Sequence, residues 1–136
     1  MPAAVPILRY RDAAAAIDWL GRAFGFEVFL KVPGAEGRIE HARLVLGDSM
    51  IMLASIDRAG RFESLFRLPA AAGGVTQCIS LFVPDPDGIY RSARAAGAAI
   101  LDEIADFQFG GRIFTCLDPE SHVWVLGSHD PWRKAW

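Results

Sequence analysis

Few residues of this chain have the type and spacing that chemistry needs, and the first candidates are Glu40 and His41. Both lie in the run from Ile39 to Leu46, whose composition predicts a β-strand. Side chains alternate along a strand, so either Glu40 or His41 can enter a cavity on one sheet face, but not both. A histidine suits proton transfer, although a structural hydrogen bond is the simpler interpretation here. Alternation places Ile39, His41, Arg43 and Val45 on one face and Glu40, Ala42 and Leu44 on the other.

Other catalytic patterns are missing from the sequence. It has no Gly-x-Ser-x-Gly elbow, no glycine-rich phosphate loop at a strand-to-helix turn and no His-Glu-x-x-His. Hydrolases, nucleotide-binding proteins and zinc proteases are therefore disfavoured. Cys78 and Cys116 are too few for a disulfide framework and are not spaced as Cys-x-x-Cys, so we expect both to be buried free thiols.

The composition limits the class of protein further. A chain of 136 residues with 52% hydrophobic and 22% charged residues is expected to form one globular domain. A formal charge of −2 disfavours nucleic-acid binding, which depends on positive charge. No apolar run approaches the roughly 20 residues of a membrane helix, and the first residues do not resemble a signal peptide. We therefore expect a cytoplasmic protein without nucleic-acid or membrane partners.

The first half of the chain predicts a strand, a helix and three more strands. Val5 to Tyr10 is a short apolar run. The helix that follows begins after Asp12, a favourable N-cap, and ends at Gly25, which suits a left-handed C-terminal cap. The three further strands are predicted over residues 26–32, 38–46 and 49–55.

The same order of elements is predicted again after an irregular stretch. A strand from Val75 to Val83 precedes a helix that begins at Asp85 with Pro86 in its first turn, and strands follow over 98–101, 112–117 and 122–127. We therefore expect one α+β domain over residues 1–136. It comprises a first βαβββ module (5–56), a linker (57–74), a second βαβββ module (75–129) and a tail (130–136).

Several motifs, in this order, resemble the vicinal oxygen chelate superfamily. They are Ile39-Glu-His-Ala-Arg-Leu-Val-Leu-Gly-Asp-Ser-Met-Ile-Met-Leu, Arg94-Ala-Ala-Gly-Ala, Phe109-Gly-Gly-Arg-Ile-Phe and Asp118-Pro-Glu-Ser-His-Val-Trp. That superfamily contains glyoxalases, extradiol dioxygenases, fosfomycin-resistance enzymes and bleomycin-binding proteins, and the chain is most similar to its PhnB-like branch. The resemblance covers residues 6 to about 129. It implies that the paired modules form a half-open barrel with a ligand cavity between concave sheet faces, usually in a homodimer.

The resemblance also implies where metal-dependent relatives place their ligands. These positions fall at Val5, Met52, Gln77 or Cys78, and Val125. Valine and methionine do not bind hard cations, and a catalytic metal site needs about three protein ligands. We therefore expect neither a metal nor another cofactor, and we assign no catalytic residue.

The remaining cavity positions predict a soft, mostly apolar site for a small, largely apolar or aromatic molecule. Phe107 and Phe109 could close over a planar ligand, and Arg112 could meet an anionic group or form a structural ion pair. The candidate ligand-binding residues are Glu40, His41, Met50, Met52, Gln77, Cys78, Ser80, Phe82, Phe107, Phe109, Arg112 and Val125.

Two alternatives stay open at this point. One is a metal-dependent lyase or dioxygenase with an atypical ligand set drawn from Gln77, Glu40 or His41. The other is an interaction module whose concave face is filled by its own side chains. The aromatic tail residues Trp132 and Trp136 are expected to pack on a neighbour or on the subunit surface, in keeping with a homodimer.

Overall fold

A computed structural model describes residues 2–57 and 60–134 of the chain. The first part forms a four-stranded sheet with the strand order β1-β4-β3-β2 and one long helix. Its elements are β1 (Ile7–Tyr10), α1 (Ala13–Phe24), β2 (Glu27–Pro33), β3 (Ile39–Leu46) and β4 (Ser49–Ser55). β1 pairs in parallel with β4, and the other pairs are antiparallel.

The second part repeats this arrangement with the strand order β5-β8-β7-β6. Its elements are the short α2 (Pro69–Ala72), β5 (Ile79–Phe82), α3 (Pro86–Ala95), β6 (Ala99–Asp106), β7 (Arg112–Leu117) and β8 (Val123–Gly127). β5 pairs in parallel with β8. The predicted α+β class and the repeated βαβββ order are confirmed. The strand predicted from Val75 begins only at Ile79, so Gln77 and Cys78 precede β5.

Local sequence signals explain where the two long helices begin. The side chain of Asp12 accepts a hydrogen bond from the backbone nitrogen of Ala15, and that of Asp85 accepts one from Gly88. Both predicted N-caps are confirmed. Gly25 has a φ of 90°, which favours a residue without a Cβ, and it ends α1. Within the described residues, none of the helices has the length and apolar character needed to span a membrane.

A single hydrophobic core joins the two modules through the sheet faces that carry the helices. The rings of Phe24 and Phe26 lie 5.2 and 6.1 Å from that of Trp124. The indole nitrogen of Trp19 donates to the carbonyl oxygen of Ala96 at 2.8 Å, so α1 is also tied to the end of α3. The sheet faces that carry the helices are therefore buried against each other within one chain. The opposite faces lie on the outside, and the two sheets do not close into a barrel.

Candidate functional site

The outer face of the first sheet, which we call the first open face, is mostly apolar. Residues paired side by side in neighbouring strands point to the same face. One such row crosses the whole sheet and contains Ile7, Met52, Arg43 and Leu30. Met50 lies two residues before Met52 in β4 and therefore shares this face. The first open face thus combines thioethers and aliphatic groups with the guanidinium of Arg43.

The second sheet has an equivalent outer surface, the second open face. Its corresponding row contains Ser80, Val125, Thr115 and Asp102. Phe82, two residues after Ser80, lies on the same face and is 52% exposed. Because β1, β4, β3 and β2 match β5, β8, β7 and β6, Met52 corresponds to Val125 and Arg43 corresponds to Thr115.

Large apolar side chains remain uncovered on both open faces. Ile7 is 58% exposed and Val32 is 42% exposed. Side chains of this kind are normally covered by a ligand or by another protein surface when they form a contiguous patch. The open faces are therefore the candidate binding surfaces of this chain.

The predicted alternation along β3 is wrong at its start. Val32 of β2 pairs with His41 whereas Pro33 pairs with Ile39, so Glu40 is an extra residue that forms a β-bulge. The bulge turns Ile39 into the core, where it is 5% exposed and its backbone nitrogen donates to the hydroxyl of Ser55 at 2.9 Å. Of the two side chains that alternation left open, His41 is the one that lies on the open face, and Glu40 is exposed beside the Gly34 turn.

Arg43 and His41 form the main polar contact of the first open face. The Nε of Arg43 donates to Nε2 of His41 at 3.0 Å, so this imidazole nitrogen acts as an acceptor. Both side chains are half-buried. The sequence patterns placed Arg43 on the face of His41 but did not single it out as a site residue. The sequence signal that could have identified Arg43 as a site residue is the position of this charged side chain among apolar neighbours on one strand face.

A second guanidinium of the first open face, that of Arg9, is already paired. It lies 2.9 Å from a carboxylate oxygen of Glu63 and 4.4 Å from the ring centre of Phe66. The hydrogen bond from Arg9 lowers the pKa of Glu63 below its ordinary value. Residues 63–66 thus fold back onto the edge of the first sheet and neutralise Arg9.

Arg112 has a structural partner rather than a free guanidinium. Its nitrogens lie 2.8 Å from Asp87 and 3.1 Å from Asp106. Hydrogen bonds to these two carboxylates raise the pKa of Arg112, and Arg112 in turn lowers the pKa of Asp87. Of the two roles predicted for this residue, the structural ion pair is therefore the one that the structure contains.

The predicted aromatic pair before the Gly110 turn is arranged around a histidine. The rings of Phe107 and Phe109 are 5.4 Å apart in an edge-to-face arrangement, and Phe107 also contacts the ring of His129 at 5.6 Å. These contacts hold the loop between β6 and β7. Phe107 is half-buried in them, whereas Phe109 is 39% exposed.

The two cysteines differ in accessibility. Cys116 is fully buried in β7, as predicted, but Cys78 is exposed because it precedes β5, so its predicted burial is wrong. Burial raises the pKa of the Cys116 thiol to about 12, with a further contribution from Asp118. Trp132 is 82% exposed within this chain, and Trp136 lies outside the described residues.

The residues at the expected metal positions do not fit a divalent cation. Met52 and Val125 occupy equivalent places in the two rows and offer a thioether and a hydrocarbon. Gln77 and Cys78 precede the edge strand β5. Among residues 2–57 and 60–134, no group of three or more His, Cys, Asp or Glu side chains is placed to hold a metal ion. Hard cations prefer several oxygen ligands, which these positions do not supply.

A groove of about 930 Å³ adjoins the second open face. It lies between the turn that joins β3 to β4 and the segment that joins β5 to α3. Ser80 and Phe82 line it from one side, Asp48 from another, and Trp132 of the tail borders it. Ser80 and Phe82 are predicted ligand-binding residues, and they therefore lie both in this groove and on the second open face.

Two repeated modules, each with a four-stranded mixed sheet and an open face, define the class of fold. A family model described as the Glyoxalase/Bleomycin resistance protein/Dioxygenase superfamily matches residues 3–126. The chain belongs to this superfamily. The match does not identify a branch, so the PhnB-like branch stays a prediction.

Relatives and solved structures agree with this membership. The uncharacterized proteins Mb0911c of Mycobacterium bovis and Rv0887c of Mycobacterium tuberculosis are each 34% identical over 126 residues, which is 93% of this chain and 82% and 74% of theirs. The crystal structure of TioX from Micromonospora sp. ML1 is similar with a TM-score of 0.73 and 29% identity, covering 98% of this chain and all of TioX. The fosfomycin resistance protein FosX of Listeria monocytogenes has a TM-score of 0.70 at 13% identity, with 96% and 94% coverage, which shows a shared fold.

Proposed function

We propose that this protein binds a small, largely apolar or aromatic molecule between its open faces without a metal ion. The observation that carries the proposal is the first open face, where the apolar side chains of Met50, Met52 and Ile7 share a surface with the hydrogen-bonded pair Arg43 and His41. Small-molecule sites are typically apolar walls with a few polar groups that orient the ligand. Methionine adds an adaptable surface suited to flat or irregular ligands.

A second copy of the chain supplies the opposite wall of the cavity in this proposal. The helix-bearing faces pack against each other within one chain, so the first and second open faces of that chain cannot meet. In a two-fold symmetric dimer, the first open face of one copy covers the second open face of the other. This arrangement covers Ile7 and Phe82, which are 58% and 52% exposed in the single chain. It gives two equivalent cavities per dimer.

The neutral fluorescent probe N-phenyl-1-naphthylamine tests the binding proposal. We expect one probe per chain and a blue-shifted emission that reports an apolar site. Met52→Trp and Ser80→Trp place a bulky ring in equivalent rows of the two open faces. Both variants should lose the probe and keep the circular dichroism spectrum of the folded protein.

Ala14→Trp is the matched control, because Ala14 is an exposed residue of α1 outside the open faces. This variant should bind the probe as the parent chain does. Unchanged probe binding in both open-face variants would overturn the proposal. If Met52→Trp fails to fold, Ser80→Trp still tests the proposal, because Ser80 is exposed in the chain and its replacement should not disturb the core.

A further inference from the structure

In the part of the chain that the structure describes, no carboxylate neutralises the guanidinium of Arg43 on the first open face. Arg43 uses its Nε to donate to His41. Within residues 2–57 and 60–134, its two terminal nitrogens have no hydrogen-bond or ion-pair partner. Arg9, on the same face, differs because Glu63 pairs with it at 2.9 Å. Among the residues described, Glu63 thus neutralises Arg9, and the terminal nitrogens of Arg43 stay available.

The surroundings of Arg43 make a free guanidinium costly. Met52 and Leu30 flank it on the neighbouring strands, and the side chain is half-buried. A charge that is partly removed from water among apolar groups is stabilised by a hydrogen-bonded partner of opposite charge. A guanidinium whose Nε is fixed still presents its terminal N–H groups in a planar array that fits a carboxylate or another oxyanion.

The repeat of the fold shows that this charge is specific to the first module. Thr115 occupies the corresponding place in the second row, next to Val125. Arg43 is also next to Met52, one of the positions where the resemblance places a metal ligand. The guanidinium of Arg43 therefore lies beside a position at which the resemblance places a side chain that binds the metal ion in metal-dependent relatives.

We infer that Arg43, positioned by His41, recognises an acidic group, so that the ligand is an apolar or aromatic molecule carrying a carboxylate, sulfonate or similar oxyanion. This inference rests on the proposed function and narrows its ligand class. The apolar part of the ligand lies against Met50 and Met52, and the oxyanion accepts hydrogen bonds from the terminal nitrogens of Arg43.

The test compares two probes that differ by one sulfonate. 8-Anilinonaphthalene-1-sulfonate carries the anion, and N-phenyl-1-naphthylamine is its neutral counterpart. A hydrogen bond between charged groups is typically worth enough to change affinity by about tenfold or more. We therefore expect calorimetric titration of the dimer to give about tenfold tighter binding of the sulfonate probe.

Arg43→Met should reduce this preference, which is the ratio of the two affinities measured in the same variant, to about one. Arg43→Lys keeps the charge but loses the planar array, so it should retain part of the preference. Arg22→Met is the control, because Arg22 is an exposed residue of α1 paired with Asp18, and it removes one charge away from the open faces.

The outcomes separate the two proposals. If neither probe responds to Met52→Trp, the proposed site fails. If the neutral probe binds at the open face and the sulfonate preference survives in Arg43→Met, only the role of Arg43 is overturned. If Arg22→Met lowers the preference for the sulfonate probe as much as Arg43→Met does, the preference reflects the overall charge of the protein. That result would also overturn the role of Arg43. An Arg43→Met dimer that dissociates, with the preference intact in the remaining dimer, would assign Arg43 to a carboxylate of the second copy instead.

Discussion

The hydroxyl of Tyr10 in β1 donates a hydrogen bond of 2.7 Å to the carboxylate of Asp118, which directly follows β7 in the other module. Asp118 is only 4% exposed. The same carboxylate also accepts from the indole of Trp124 and from the backbone nitrogens of Glu120 and His122. Four donors thus satisfy a buried carboxylate at the junction of the modules. This junction helps to fix how the two open faces are oriented.

Replacing Tyr10 with phenylalanine should lower the free energy of unfolding by about 1–3 kcal/mol, because Asp118 loses one donor where water cannot easily replace it. Urea denaturation followed by circular dichroism measures this change. Tyr90→Phe is the control, since its hydroxyl bonds to Glu103, whose side chain is 71% exposed. An equal decrease in the free energy of unfolding in the two variants would contradict the role assigned to the buried carboxylate of Asp118.

The accessibility of the thiols gives a direct check of β5 and β7. Cys78 is exposed and Cys116 is buried, so a disulfide reagent such as DTNB should titrate one thiol in the native chain and two in denaturant. In Cys78→Ser the native protein should show no rapid reaction. Rapid reaction of two native thiols would contradict the burial of Cys116.

Stability should fall at alkaline pH. Burial, followed by the charge of Asp118, raises the pKa of Tyr10 well above its ordinary value, and the same causes raise the pKa of Cys116 to about 12. In the unfolded chain both groups ionise near their ordinary values, so they bind protons more tightly when folded. Their stabilisation is complete below about pH 9 and is lost as the pH rises toward the folded-state pKa values.

Urea denaturation between pH 8 and pH 11 measures this loss. In Cys116→Ala the decrease in stability per pH unit should be smaller, whatever the effect of the substitution at pH 8. A free energy of unfolding that stays constant up to pH 11 would contradict the linkage.

The repeated order of elements could be predicted because caps and turns are local signals. Asp12 and Asp85 begin the helices as expected, and β4 and β7 have the predicted bounds. The bulge at Glu40 could not be predicted in the same way. It depends on how β2 pairs with β3, and strict alternation therefore placed Ile39 on the wrong face.

The candidate site was predictable only in part, for a similar physical reason. Alternation identified Met50 and Met52 as one face of β4, but it does not say whether that face meets the other module or the outside. That outcome depends on packing between Trp124 and Phe24, which joins the modules through their other faces. Arg112 could not be assigned from sequence either, because its partner Asp87 lies 25 residues away in α3.

The exposed apolar residues predict a dimer in solution. Light scattering should give about twice the chain mass of 14.8 kDa. Ile7→Lys combined with Phe82→Lys places a charge on each open face, which should produce a monomer because the charges would be buried in the dimer. Ala14→Lys, on the exposed surface of α1, should remain dimeric. A parent chain of about 15 kDa would contradict the shared cavity.

The most direct test of metal-free binding is calorimetric titration of N-phenyl-1-naphthylamine into the protein after dialysis against EDTA. The thioether of Met52 and the hydrocarbon side chain of Val125 do not suit a divalent cation, so we expect one probe per chain and the same Kd before and after addition of Mn²⁺ or Zn²⁺. Binding that is absent after EDTA treatment and restored by a stoichiometric metal ion would contradict this account.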